Sequence, residues 1–139
     1  MIDRFDGTEH RFLSNFWMSS VEYEGIIYPS SEHAYQAAKF FPVKTRQKIA
    51  TLKTPGEAKR FGRRNPMRDD WEDVKVEEMY KILLTKFGNK ELRQLLLATG
   101  DQELIEGNTW GDKFWGQCPV GDGENWLGKL LMKVRREIK

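Results

Sequence analysis

Apolar positions along this chain switch period, and the switches mark out its elements. Ile2 to Asn15 alternates poorly and reads as an extended opening that turns near Asp6-Gly7. Val21 to Tyr28 alternates on both sides of Glu24-Gly25, the pattern of a short hairpin. Pro29 then disfavours helix at Tyr28, and Ser30 or Ser31 offers an oxygen to the first free backbone N–H groups, so a helix should begin here. Ala34, Ala37 and Ala38 let it propagate until Phe40-Phe41-Pro42. Lys44 to Leu52 suits a basic helix, and Thr54 as cap with Pro55 at the first helical position opens another. Asp69-Asp70 should cap a longer helix to Phe87, its apolar stripe running through Val76, Met79, Tyr80 and Leu83. Asn89 begins a helix with Leu92, Leu95 and Leu96 inward, and Thr99-Gly100 supplies a left-handed stop. Leu104 to Glu106 reads as a short buried strand. A terminal helix carries Leu127, Leu130, Leu131, Val134 and Ile138 on its core face. Strands at both ends of a largely helical middle predict an α+β fold: a single, mainly helical domain over residues 1–139 with a small β-sheet.

Within the helix that starts near Ser30, Glu32, Gln36 and Lys39 share one narrow stripe, because a turn advances about 100° per residue. His33 and Tyr35 point elsewhere. The simplest reading is a solvated face, with Glu32 near the positive helix end and Lys39 near the negative one. Trp71 lies about 140° round the wheel from Val76, so the main stripe of its helix does not account for it. It either enters a cleft or makes a second packing contact. Lys59, Arg60, Arg63, Arg64 and Arg68, with Gly62 allowing close approach, make the densest cationic cluster, which is either a phosphate clamp or a solvated face.

The 139 residues suit one domain with a core that needs no metal or disulfide staple. Twenty-three basic and 21 acidic residues leave a net charge of +2, which excludes a polybasic nucleic-acid tail but not a local cationic pocket. Cys118 is the only cysteine and His10 and His33 the only histidines, without ligand spacing, so neither a metal nor another cofactor is expected. The opening residues are charged and no apolar run reaches the length of a membrane span, so a cytoplasmic protein without membrane partners is expected. Trp110, Trp115 and Trp126 lie within or beside glycine-rich, weakly periodic sequence, where rings either wall a pocket or plug a small core. The segment from Gly121 to Gly128 resembles a nucleotide-binding turn only superficially, since it lacks the Lys-Ser/Thr of a phosphate loop.

Four segments in order, Phe12-Leu-Ser-Asn-Phe16, Ser31-Glu-His-Ala-Tyr-Gln-Ala-Ala-Lys-Phe40, Asp112-Lys-Phe-Trp-Gly116 and Gly123-Glu-Asn-Trp-Leu-Gly-Lys-Leu-Leu-Met132 with Arg135, resemble the NADAR (YbiA-like) family over nearly the whole chain. The resemblance implies an α+β enzyme that cleaves N-glycosidic bonds to a phosphorylated ribose. One branch hydrolyses riboflavin-pathway ribosylamino-pyrimidine phosphates. Another removes ADP-ribose from guanine in DNA. By motif position it implies Glu32, Trp71, Asp112 and Lys39 as active-site residues.

The chemistry assigns roles to them. Breaking an N-glycosidic bond builds positive charge on the sugar, so a fixed carboxylate and a proton donor are needed, which Glu32 and Asp112 fit. Lys39 is placed either to attack the ring-opened sugar as a Schiff-base nucleophile or to steady the ribose or phosphate as a cation. Trp71 or Trp115 would stack on the base, and Arg63, Arg64 or Asn15 would hold phosphate or ribose. Gln36, Trp110 and Asn125 complete the expected substrate-binding set. The rival readings are a module that binds ADP-ribose or a nucleotide without turning it over and, less well supported by the balanced charge, a DNA-binding domain.

Overall fold

The computed structural model describes residues 1–139, whose contacts divide into two compact units, Asn15–Lys86 and the pair of segments Met1–Ser14 and Phe87–Lys139. In the first unit, β1 (Met18–Tyr23) and β2 (Ile26–Ser30) form an antiparallel hairpin. Its two-residue turn has positive φ at both Glu24 (47°) and Gly25 (88°). That is the twist an antiparallel pair prefers, and Gly25 adopts it without steric cost. The Glu24 carboxylate is held 2.6 Å from the Arg46 guanidinium.

Four helices follow: α1 (Ser31–Ala38), α2 (Val43–Ala50), α3 (Pro55–Arg64) and α4 (Trp71–Lys86). The anticipated caps form at two of them. Ser30 Oγ accepts from the His33 N–H (3.1 Å) and Thr54 Oγ1 from the Glu57 N–H (3.1 Å), each stabilising its helix by about 1 kcal/mol. At the start of α4 the Asp70 carbonyl accepts from the Asp73 N–H (3.0 Å), and its carboxylate oxygens meet Arg68 at 2.6 and 3.0 Å. The core face of α4 is also rotated from the one the wheel gave. Trp71, Glu78, Met79, Ile82, Leu83 and Lys86 are buried, whereas Val76 and Tyr80 are only half so. The two polar members bring the reason: the Tyr23 hydroxyl donates to Glu78, so the buried strip includes a carboxylate that a purely apolar count passes over.

Helix α1 is the hub of this unit, packing against β1, β2, α2, α3 and α4. All eight of its residues are buried. A solvated face for Glu32 and Gln36 is therefore excluded.

The second unit holds α5 (Lys90–Ala98) and α6 (Trp126–Glu137), with a 3-10 turn at Arg11–Leu13. Asn89 caps α5 by accepting from the Leu92 N–H (3.0 Å), and Gly100 closes it at φ 64°. The strand expected at Leu104 is not one. Ile2 and Leu104 make an isolated parallel bridge, as do Gly107 and Gln117, so the only sheet is the β1–β2 hairpin. The physical reason is that the 104–106 segment is tied by a side chain: Asn125 Oδ1 accepts from the Glu106 N–H (3.0 Å) and its Nδ2 donates to the Leu104 carbonyl (2.9 Å). No helix is long and apolar enough to cross a membrane.

Candidate active site

The candidate residues fall into two sets, one in each unit. In the first unit they are built on α1, and its N-terminus explains why. The Glu32 N–H donates to the Asn15 carbonyl (3.0 Å), and Ser31 Oγ donates to Asn15 Oδ1 (2.9 Å). Asn15 Nδ2 reaches Met79 Sδ at 3.6 Å. Asn15, expected to hold phosphate or ribose, is thus occupied in fixing the first turn of the helix.

Glu32 itself is 7% exposed. One turn later Gln36 Nε2 donates to Glu32 Oε2 at 2.6 Å, the spacing of residues that stack on one helix face. A buried carboxyl group is costly unless donors serve it, and the Gln36 amide serves one of its oxygens.

His33, one residue on, faces away and is fully satisfied. Its Nε2 lies 2.9 Å from the Leu52 carbonyl, which only accepts, so Nε2 carries the proton and Nδ1 accepts from Ser30 Oγ at 2.6 Å. Burial pushes its pKa below the ordinary histidine value, partly offset by the Leu52 hydrogen bond and Glu57. It is a framework group, tied to Ser30 and Leu52.

Lys39 ends α1 with its Nζ 5.3 Å from the centre of the Tyr35 ring. Tyr35 in turn meets Trp71 edge to face, centroids 5.3 Å apart and planes at 61°. Burial lowers the Lys39 pKa most; Arg63, Lys59 and Lys75 add to this, and Glu32 pulls it the other way. The amine is thereby moved toward the neutral form that a nucleophile requires. Trp71 is buried rather than projecting, which makes it the wall behind Tyr35.

Arg60, Arg63 and Arg64 are exposed on α3, and Lys59 sits 6.0 Å over the ring of Phe16. Arg68 leaves this cluster. Besides Asp70 it serves the chain at α1, donating its N–H to the Lys39 carbonyl (2.7 Å) and Nη1 to the Ala38 carbonyl (3.4 Å).

The second unit carries the rest. Asp112 Oδ1 accepts from the N–H groups of Phe114 (3.2 Å) and Trp115 (2.9 Å), while Asn108 brackets the same loop through the Asp112 N–H (3.1 Å) and carbonyl (3.0 Å). One oxygen of Asp112 therefore shapes the loop. Trp115 packs edge to face on Phe114 at 4.9 Å and is half-buried. Trp110 is exposed and lines a cavity of about 740 Å³ with Asp3, Arg4, Asn108 and Cys118. Asn125 is buried with its amide given to the backbone at 104 and 106, a framework role instead of the substrate contact expected of it.

Tyr35 was missed by sequence reasoning, although a phenol one turn before Lys39 on a helix is the signal that finds it. Asn108 was also missed; nothing in its spacing marks a loop clamp.

The NADAR domain model matches residues 4–139, and the chain belongs to that family. It is 42% identical over 129 residues to the N-glycosidase YbiA of Escherichia coli (strain K12), covering 91% of this chain and 80% of that one. It is 43% identical over 133 residues to the riboflavin biosynthesis protein VVA0006 of Vibrio vulnificus (strain YJ016), covering 94% of this chain and only 36% of the longer relative. The NMR structure of E. coli YbiA matches with a TM-score of 0.83 at 38% identity, over 99% of this chain and 86% of that one. The α+β fold is that of YbiA.

Proposed function

We propose that this chain is an N-glycosidase that hydrolyses the bond between a phosphate-bearing ribose and the amine of a base, with Glu32 of α1 and Lys39 at its C-terminal cap carrying the chemistry. The observation that carries this reading is a buried carboxylate held by Gln36 on the same helix as an amine whose pKa burial lowers. Membership of a family whose members include named N-glycosidases supports it.

In the reaction, the sugar C1′–O4′ bond opens and O4′ takes a proton from water, leaving an iminium between C1′ and the base nitrogen. The neutral Lys39 amine adds to C1′ and loses a proton to Glu32; Glu32 returns that proton to the base nitrogen as the C1′–N bond breaks, and a Schiff base to Lys39 remains. Water then adds to C1′ and releases the amine. Glu32 stabilises the cationic stages. Arg63 and Arg64 would pair with phosphate.

Riboflavin-pathway ribosylamino-pyrimidine phosphate is the first substrate to test, because a relative is named for riboflavin biosynthesis. ADP-ribosylated guanine in DNA is the second. The experiment follows turnover of both by mass spectrometry, with borohydride added during the reaction. A sugar adduct mapping to Lys39, lost with activity in Lys39→Ala, is expected. Full turnover in Lys39→Ala overturns the nucleophilic role, and tight binding of both without turnover favours a binding module.

A further inference from the structure

The Gln36 side chain is 3% exposed, and its Oε1 is buried without a hydrogen-bond partner. A buried amide oxygen left unmatched costs free energy and calls for an explanation. Flipping the amide would not help, because it would set an oxygen against Glu32 Oε2, which Nε2 now meets at 2.6 Å. The orientation is therefore dictated by the carboxylate, and Oε1 must point the other way.

What it points at is Gly62. A β-carbon built there would lie 1.9 Å from Gln36 Oε1 and 2.9 Å from its Cδ. Gly62 is buried in the last turn of α3, where glycine still disfavours the helix relative to alanine, by less than the ~1 kcal/mol of a helix interior. A glycine stands where α3 meets the Gln36 amide, and any β-carbon there would collide with Oε1.

We infer that Gln36, locked by the missing side chain of Gly62, is the positioning group that holds the Glu32 carboxylate in its working orientation, a role that rests on Glu32 acting in the proposed reaction. Gln36 acts through Glu32 instead of touching substrate. Lys39 on α1 attracts Glu32, and the other charged groups around Lys39 are Lys59 and Arg63 on α3 and Lys75 on α4. Lys39 is unchanged in every variant, so its attraction for Glu32 is common to all of them.

Three variants test it: Gln36→Met, near in size but without a donor; Gly62→Ala; and Gln36→Ala/Gly62→Ala. The readouts are the titration of the Glu32 carboxyl by carbon NMR, assigned with Glu32→Gln, the pH profile of kcat/KM on the ribosylamino-pyrimidine phosphate, and the thermal midpoint. Gln36→Met should raise the Glu32 pKa by about one unit and move the acidic limb of the profile up with it, because the charged form loses its donor. Gly62→Ala should do the same while Gln36 is still present. The double variant should recover the midpoint that Gly62→Ala loses and keep the shifted titration. A Glu32 titration unmoved in Gln36→Met or in Gly62→Ala, or restored in the double variant, would overturn the assignment. Failure of the catalytic reading looks different: Glu32→Gln turns over normally while Gln36→Met still shifts the Glu32 titration.

Discussion

Replacing Trp71 tests the wall behind the lysine. The residue is 3% exposed, and a buried tryptophan hides roughly 200 Å² of side chain, about 5 kcal/mol at ~25 cal/mol per Å². The edge contact with Tyr35 contributes a further ~1 kcal/mol. Partial collapse of the space offsets some of this, so Trp71→Ala should lose about 3–5 kcal/mol. Trp71→Phe keeps a ring beside Tyr35 and should lose about half as much. The same change acts on chemistry. With Trp71 gone, Tyr35 loses its backing, the Lys39 amine becomes wetter, and its pKa moves back up toward the ordinary lysine value, since burial is the main cause of its lowering. Urea unfolding followed by circular dichroism measures the first effect, and carbon NMR of reductively methylated Lys39 in Trp71→Ala measures the second. A loss below ~1 kcal/mol in Trp71→Ala would show that the ring lines a cleft and not the core; a large loss with the Lys39 titration unmoved would break the link from Trp71 through Tyr35 to the amine.

Further outcomes are expected elsewhere. His33 is held neutral with its pKa below the ordinary value, so the unfolded chain takes up a proton first as pH falls. Stability should decline from about pH 6.5 downward, and a His33→Gln variant measured beside wild type by urea unfolding should show a shallower decline; parallel curves would refute the assignment. Lys86 is fully buried and its pKa is pushed down to about 7. Between about 7 and the unfolded value of 10.5 the unfolded chain holds the extra proton, so wild-type stability should rise with pH by up to ~5 kcal/mol relative to Lys86→Met. A difference between the two proteins that is constant over this range would sink that account. Replacing Arg63 and Arg64 with Gln should weaken binding of the phosphorylated substrate by tenfold or more and leave a dephosphorylated analogue nearly unchanged, as isothermal calorimetry would show; equal losses would mark the pair as a solvated face.

Local rules of the chain were legible where one residue decides the outcome. Pro29 with Ser30, Thr54 with Pro55, Glu24 with Gly25 and Asn89 with Gly100 each set an element boundary through a cap or a turn, and periodicity placed Glu32, Gln36 and Lys39 together. Burial was not legible. Nothing in the spacing of α1 tells that five elements surround it and bury its polar face. Pairings between distant residues were equally hidden. Asn125 supplies the partners a strand would have given Leu104 and Glu106, and the Asp70 carboxylate pairs with Arg68. Such choices depend on which groups meet after folding, and hydrophobic period carries no record of them.

The bond from Glu32 to the Asn15 carbonyl closes a ring of chain that contains the whole β1–β2 hairpin. Both ends of that ring are fixed at the carboxylate's own backbone, while its far end is the exposed turn at Glu24-Gly25. The entropy of closing a loop grows only with the logarithm of its length, so residues added at the turn should cost less than 1 kcal/mol per doubling and leave Glu32 where it is. A single residue inserted between Asn15 and Met18 would instead shift the hairpin against its own anchor. An engineered insertion of a tag or probe should therefore be tolerated at one point of this ring and not at the other. The amide proton of Glu32, protected only while the ring is shut, is a built-in reporter of which insertions the helix survives.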